Sequence, residues 1–151
     1  MKIKIERYWS MPSHKTFTIK PLKKLINEEL GSDYIDPFPY PFKQDAIQYL
    51  KTITTNSINA LVFDPPYSSY QLKTKYKNAG ISLDNFNASY WSNCKKEISR
   101  ITKTNGKVIC FGWNSNGIGK KYGFKLSRIM LIAHGSQHND TIATVEIKND
   151  K

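Results

Sequence analysis

The run Ile58-Asn59-Ala60-Leu61-Val62-Phe63-Asp64-Pro65-Pro66-Tyr67 constrains the architecture more than any other segment. Apart from Asn59, its first six residues are apolar without alternation, which suits a strand covered on both faces in a parallel sheet. The run then stops abruptly. Two consecutive prolines fix φ and remove two N–H donors, so neither strand nor helix can continue through them. A central buried strand ending at an acid, two prolines and a tyrosine is the expectation.

On the N-terminal side, Asp45 is a good N-cap for a helix with Ala46, Ile47, Leu50 and Ile53 facing inward. Before it, Tyr34-Ile35 reads as a short strand ending at Asp36-Pro37-Phe38, followed by the rigid connection Pro39-Tyr40-Pro41-Phe42. Residues 21–30 predict a helix, with Pro21 at its first position, Leu22, Leu25, Ile26 and Leu30 on one face, and Gly31 as the stop. The first nineteen residues suit short extended pieces at 2–5 and 16–19, with an aromatic, turn-like stretch from Tyr8 to Pro12 between them.

On the C-terminal side, residues 68–87 are polar, lysine-containing and weakly periodic, and predict a long loop. Trp91, Cys94, Ile98 and Ile101 then recur at helical spacing, with Asn105-Gly106 as the terminator. Residues 108–111 read as a buried strand, Gly112-Trp113-Asn114 as a corner, and 128–133 with 141–147 as a terminal hairpin. The alternation of strand and helix predicts a reduced, doubly wound α/β domain spanning residues 1–151, with a parallel core and an antiparallel C-terminal hairpin at its edge.

Composition narrows the function classes. No apolar run is long enough to cross a bilayer, and no apolar stretch follows Lys2 and Lys4, so a membrane or secreted role is not expected. Cys94 and Cys110 have neither metal nor disulfide spacing; a cytoplasmic, reducing setting is the default. Twenty-three Lys and Arg against twelve Asp and Glu leave a formal charge of +11, which favours polyanionic partners through counterion release.

In open α/β sheets, ligands bind beyond the carboxyl ends of the strands. Both Asp36-Pro37-Phe38 and Asp64-Pro65-Pro66-Tyr67 fall there. Asp64 and the Pro65 carbonyl can both accept hydrogen bonds from one amine, and Tyr67 offers a flat face for a planar ring. An exocyclic amine is a poor nucleophile because its lone pair is delocalised; two acceptors on its hydrogens favour the pyramidal, reactive form.

Phe63-Asp64-Pro65-Pro66-Tyr67 resembles the catalytic motif of amino-methylating DNA methyltransferases, in the DPPY form typical of adenine-N6 enzymes; cytosine-N4 relatives usually carry Ser in place of the Asp. Ile19-Lys20-Pro21 with Leu25-Ile26 resembles the family's KP-containing helix, and Ile35-Asp36-Pro37-Phe38 the start of its DPFxGxG cofactor motif. Cys110-Phe111-Gly112-Trp113 and His138-Asn139-Asp140-Thr141-Ile142 are similar to small phage-type members. The resemblance implies transfer of a methyl group from S-adenosylmethionine to a flipped adenine in DNA, as in restriction-modification systems. It also implies catalytic roles for Asp64, Pro65, Pro66 and Tyr67, and cofactor contacts from Lys20, Asp36, Pro37, Phe38, Asp45 and Asp64. Tyr67, Ser68, Lys73, Lys75 and Lys77 would meet the DNA. For Asp45 a plain helix cap is an equal alternative, and for the lysines a solvated loop.

The pattern departs from the family after Phe38. Pro39-Tyr40-Pro41-Phe42 stands where a glycine-rich turn is expected, and too few residues separate Phe38 from Asp45 for the helix and second strand that would carry a ribose-binding acid. At least one early strand is therefore expected to be missing. Three outcomes stay open: a pocket between Asp36, Phe38, Asp45 and Asp64, a homo-oligomer or partner subunit that completes it, or a catalytically impaired nucleic-acid-binding subunit or decoy. Trp91 and Cys110 are expected to pack, and His14, His134 and His138 to take surface or turn roles.

Overall fold

The computed structural model describes residues 2–13, 15–83 and 86–149; His14 lies outside them. Among the described residues, five strands form one sheet: β1 (Lys4–Trp9), β2 (Ile58–Phe63), β3 (Thr102–Gly112), β4 (Phe124–Ala133) and β5 (Thr141–Lys148), in the order β1-β4-β5-β3-β2. β1 pairs parallel with β4 and β2 parallel with β3, whereas β5 runs antiparallel between β3 and β4. The helices that cover it are α1 (Lys20–Glu29), α2 (Ala46–Lys51), α3 (Ser69–Asn78) and α4 (Tyr90–Ile101).

The helices take both faces, as in a doubly wound α/β fold. On one, Leu22, Leu25 and Ile26 of α1 pack on Val62, Ile109, Met130 and Val145. On the other, Ala46 and Leu50 of α2, Leu72 and Tyr76 of α3 and Cys94 and Ile98 of α4 pack on Leu61, Phe63 and Val108. This double covering is why β2 reads as an unbroken apolar run.

Burial on both faces is not the same as a central place in the sheet. β2 is the last of the five strands in order, flanked only by an isolated parallel bridge between Ile35 and Leu61. The bridge is what remains of the short strand expected at Tyr34-Ile35, and α2 alone connects it to β2. The expected edge hairpin is also corrected: β5 sits inside the sheet, because β1 pairs along the outer side of β4 and continues through Tyr8 and Trp9, residues expected in a turn. Residues 16–18 form a 3-10 turn rather than an extended piece.

The long loop expected at 68–87 contains α3. Only Leu72 and Tyr76 turn inward from it, so its periodicity is faint, but Ser68 caps it by accepting from the Gln71 amide at 3.1 Å. α4 ends at Ile101, earlier than expected; Asn105, at φ 68°, and Gly106 instead lie within a register shift at the start of β3. No described helix is long and apolar enough to cross a membrane.

Candidate active site

Because β5 opposes both neighbours, β1, β4, β3 and β2 all point the same way and share one carboxyl edge. Asp36 and Asp64 follow the adjacent partners Ile35 and β2 at that edge. The Asp36 carboxylate accepts from the Phe38 amide at 2.9 Å, a local turn that Pro37 shapes and that buries Phe38 against Phe63 and Trp91.

Two cavities meet the tetrad. The larger, about 500 Å³, is lined by Lys15, Thr16, Phe17, Thr18, Asp36 and Phe38, by Pro39 to Pro41, and by Asp64. The smaller, about 250 Å³, is lined by Pro65, Pro66, Tyr67, Trp91, Lys95, Trp113 and neighbouring strand-end residues. Asp64 thus faces one chamber, while the rest of its tetrad faces the other. The Tyr67 ring is partly exposed and lies 4.7 Å from that of Trp113, tilted by 48°.

Burial pushes the Asp64 carboxyl up to about 6; the charge of Asp36 adds to this, and a Thr16 hydrogen bond and the Lys75 ammonium oppose it. Asp36 is raised to about 6 by the same desolvation, against the Phe38 amide. Burial, with the charge of Asp64, raises the Tyr67 phenol to about 12, and a hydrogen bond with Thr141 partly offsets the rise. Thr141 in turn lies 2.8 Å from Nε2 of buried His134, whose Nδ1 lies 2.8 Å from the Ser10 carbonyl. His134 is therefore an interior tie and not the surface residue expected from the sequence.

The other residues singled out in the sequence are dispersed. Lys20, exposed at the start of α1, lines a separate cavity with Lys4, Glu6, Glu28 and Arg128. Pro37 is buried beside Asp36 in a small cavity under Lys43 and Tyr49. Asp45 caps α2 through Gln48 and accepts from the Tyr90 hydroxyl at 2.5 Å, so its carboxylate is occupied structurally. Ser68 is used as a cap. Lys73, Lys75 and Lys77 are exposed on α3; Lys73 lies over the Phe86 ring at 4.7 Å, and Lys75 is near enough to act on Asp64.

Several lining residues carry little signal in the sequence. Trp91 does pack as expected, 6.3 Å from Phe38, yet it also walls the smaller cavity. Thr16 and Thr18 enter through a 3-10 turn that alternation had suggested was a strand. Glu146, buried in β5, accepts from the Ile118 and Gly119 amides at 2.6 and 2.9 Å and pins the loop after Trp113. Cys110 is buried and its thiol pushed up, consistent with an inert role.

The larger cavity carries charged groups of both signs. Two half-buried carboxylates facing one space call for a cation, which suits the ammonium and sulfonium at the methionine end of S-adenosylmethionine, and Lys15 offers a cation for its carboxylate; the Thr18 hydroxyl is spent on the Lys15 carbonyl at 2.7 Å and Thr16 bonds to Asp64. About 500 Å³ falls within the roughly 300–1,000 Å³ of ligand sites. Among the described residues no further acid lines it for ribose hydroxyls, and Pro39 and Pro41 offer no amide donors. The methionine end fits. Among the described residues no group of acidic, histidine or cysteine side chains could hold a metal ion.

No family model matches the chain, and no curated protein sequence matches it. Among solved structures, it is similar to a Thermus thermophilus protein described as a DNA modification methylase, at 12% identity and a TM-score of 0.48, covering 72% of this chain and 52% of that one. It is also similar to TrmN from Thermus thermophilus (9% identity, TM-score 0.48, 97% of this chain and 44% of that one). A third is the 16S rRNA N2 G1207 methyltransferase RsmC of T. thermophilus, in complex with AdoMet and guanosine (11%, TM-score 0.35, 95% and 35%). The chain spans about half the length of the first and less of the others. At these identities and TM-scores, the likeness assigns neither a family nor an activity.

Proposed function

We propose that the chain is an S-adenosylmethionine-dependent methyltransferase acting on the exocyclic amine of adenine in DNA. The observation that carries this reading is the placement of Asp64-Pro65-Pro66-Tyr67 at the end of β2, with Asp64 on the Asp36 cavity and Tyr67 on the aromatic one. When bound, the cofactor supplies a methyl group on a positively charged sulfur. Asp36 and Asp64 would hold that positive end, and Lys15 its carboxylate. Asp64 and the Pro65 carbonyl accept from the amine hydrogens, while Tyr67 stacks on the base. A carboxyl held near 6 is ionised at neutral pH, yet basic enough for its oxygen to take the proton that the amine loses.

Transfer of tritium from methyl-labelled cofactor to adenine-containing DNA tests the reading. Wild type should transfer label and Asp64→Ala should not; no transfer by the wild type removes the enzyme assignment. The proline-rich turn after Phe38, with no further acid among the described residues of the cavity, favours a second reading, a nucleic-acid-binding chain that no longer takes the cofactor. It requires DNA binding with no heat of cofactor binding.

A further inference from the structure

The carboxyl edge of the sheet carries more exposed aromatic surface than the two cavities need. Trp9 closes β1, Trp113 follows β3 and Tyr67 follows β2; they are 64%, 49% and 37% exposed. Tyr70, in the first turn of α3, is also 78% exposed. In the order β1-β4-β5-β3-β2, with strands about 4.8 Å apart, the row from β1 to β2 runs roughly 19 Å.

The row is held firmly. The Tyr67 hydroxyl bonds to Thr141, and His134 joins Thr141 to the Ser10 carbonyl, the residue after Trp9. Lysines flank it, with Lys95 on the cavity of Tyr67 and Trp113 and Lys15 on the neighbouring one, in a chain of formal charge +11. Asp36 and Asp64 face the larger cavity, and Asp140, exposed before Thr141, is the one carboxylate in the β4–β5 connection at this edge.

We propose that this edge is a track for an unpaired DNA strand, which lays bases on Trp9 and, farther along, on the Trp113–Tyr67 pair, and feeds one adenine to Asp64. Exposed rings meet base faces only where those faces are free; in a duplex they are consumed by stacking, and base contacts there are made by groove edges. An unpaired adenine also offers its amine without the cost of extrusion. The inference rests on the methyl-transfer reading for what happens at Asp64, but the track itself needs no cofactor.

Fluorescence anisotropy at low salt, without cofactor, tests it with a labelled single-stranded oligodeoxynucleotide, its duplex and an RNA of the same sequence. The single DNA strand should bind at least about ten-fold tighter than the duplex, and Trp9→Ala and Trp113→Ala should each weaken it roughly ten-fold. Trp9→Phe, which keeps a ring at an exposed position, should retain most of the affinity and controls for misfolding. Equal or tighter duplex binding, indifference to Trp9→Ala, or preference for RNA overturns the track. Single-strand binding without methyl transfer overturns only the enzymatic reading, and methyl transfer by a duplex-preferring protein overturns only the track.

Discussion

Asp36 and Asp64 emerge side by side from the paired Ile35 and β2 and face one cavity, where burial raises both carboxyls to about 6. Their ordinary values lie near 3.8, so folding favours their protonated forms. The stabilising contribution is present at low pH and is lost as pH rises through about 6; at neutral pH the two charges work against the fold. Asp36→Asn, which keeps an acceptor for the Phe38 amide, should stabilise the protein at pH 7 by roughly 1–2 kcal/mol. Urea unfolding at pH 7 and pH 4.5 should show a larger gain at the higher pH.

A cation bound between the two needs both ionised. Affinity for S-adenosylmethionine, measured by calorimetry, should therefore rise as pH increases from 5 through about 6 and level off above it. Asp36→Asn should lose most of that binding while gaining stability. A pH-independent affinity contradicts the assignment of this pair to the cofactor.

His134 fixes a hydrogen-bond direction. The Ser10 carbonyl only accepts, so Nδ1 donates to it, while Thr141 bonds both to Nε2 and to the Tyr67 phenol. His134→Phe leaves these groups without partners and should cost about 1–3 kcal/mol in urea unfolding. It should also raise the KM for DNA by loosening Tyr67.

Gly117 has φ 57°, and a Cβ there would run into the Glu146 carboxylate. Gly117→Ala should lower stability by roughly 1–3 kcal/mol. Part of that loss is steric, so it should shrink in a Glu146→Ala background, a coupling that a double-mutant cycle in urea reads directly.

Helix positions were the most legible part of the fold. Pro21 with Gly31, and Asp45 before Ala46, punctuate α1 and α2 in a few adjacent residues. Sheet order was not legible, because β2 is apolar whether a neighbouring strand or a single bridge flanks it, and nothing local to 141–147 says that β5 inserts between β3 and β4. α3 was missed although Ser68-Ser69-Tyr70-Gln71 has the Ser-x-x-Gln spacing of a helix start, and Gln71 indeed bonds back to the Tyr67 amide at 3.0 Å.

The site divided in the same way. Asp64 to Tyr67 is contiguous, so its chemistry could be read from the residues alone. Thr16, Trp91, Trp113 and His134 reach the site from four separate elements, and only tertiary packing gathers them.

Nucleoside analysis of reacted DNA tests the account most directly. Adenine-rich single-stranded DNA, incubated with the protein and S-adenosylmethionine and then digested to nucleosides, should yield N6-methyl-2′-deoxyadenosine by mass spectrometry with wild type and none with Asp64→Ala. Absence of any methylated nucleoside from the wild type, or an unchanged yield from Asp64→Ala, contradicts it.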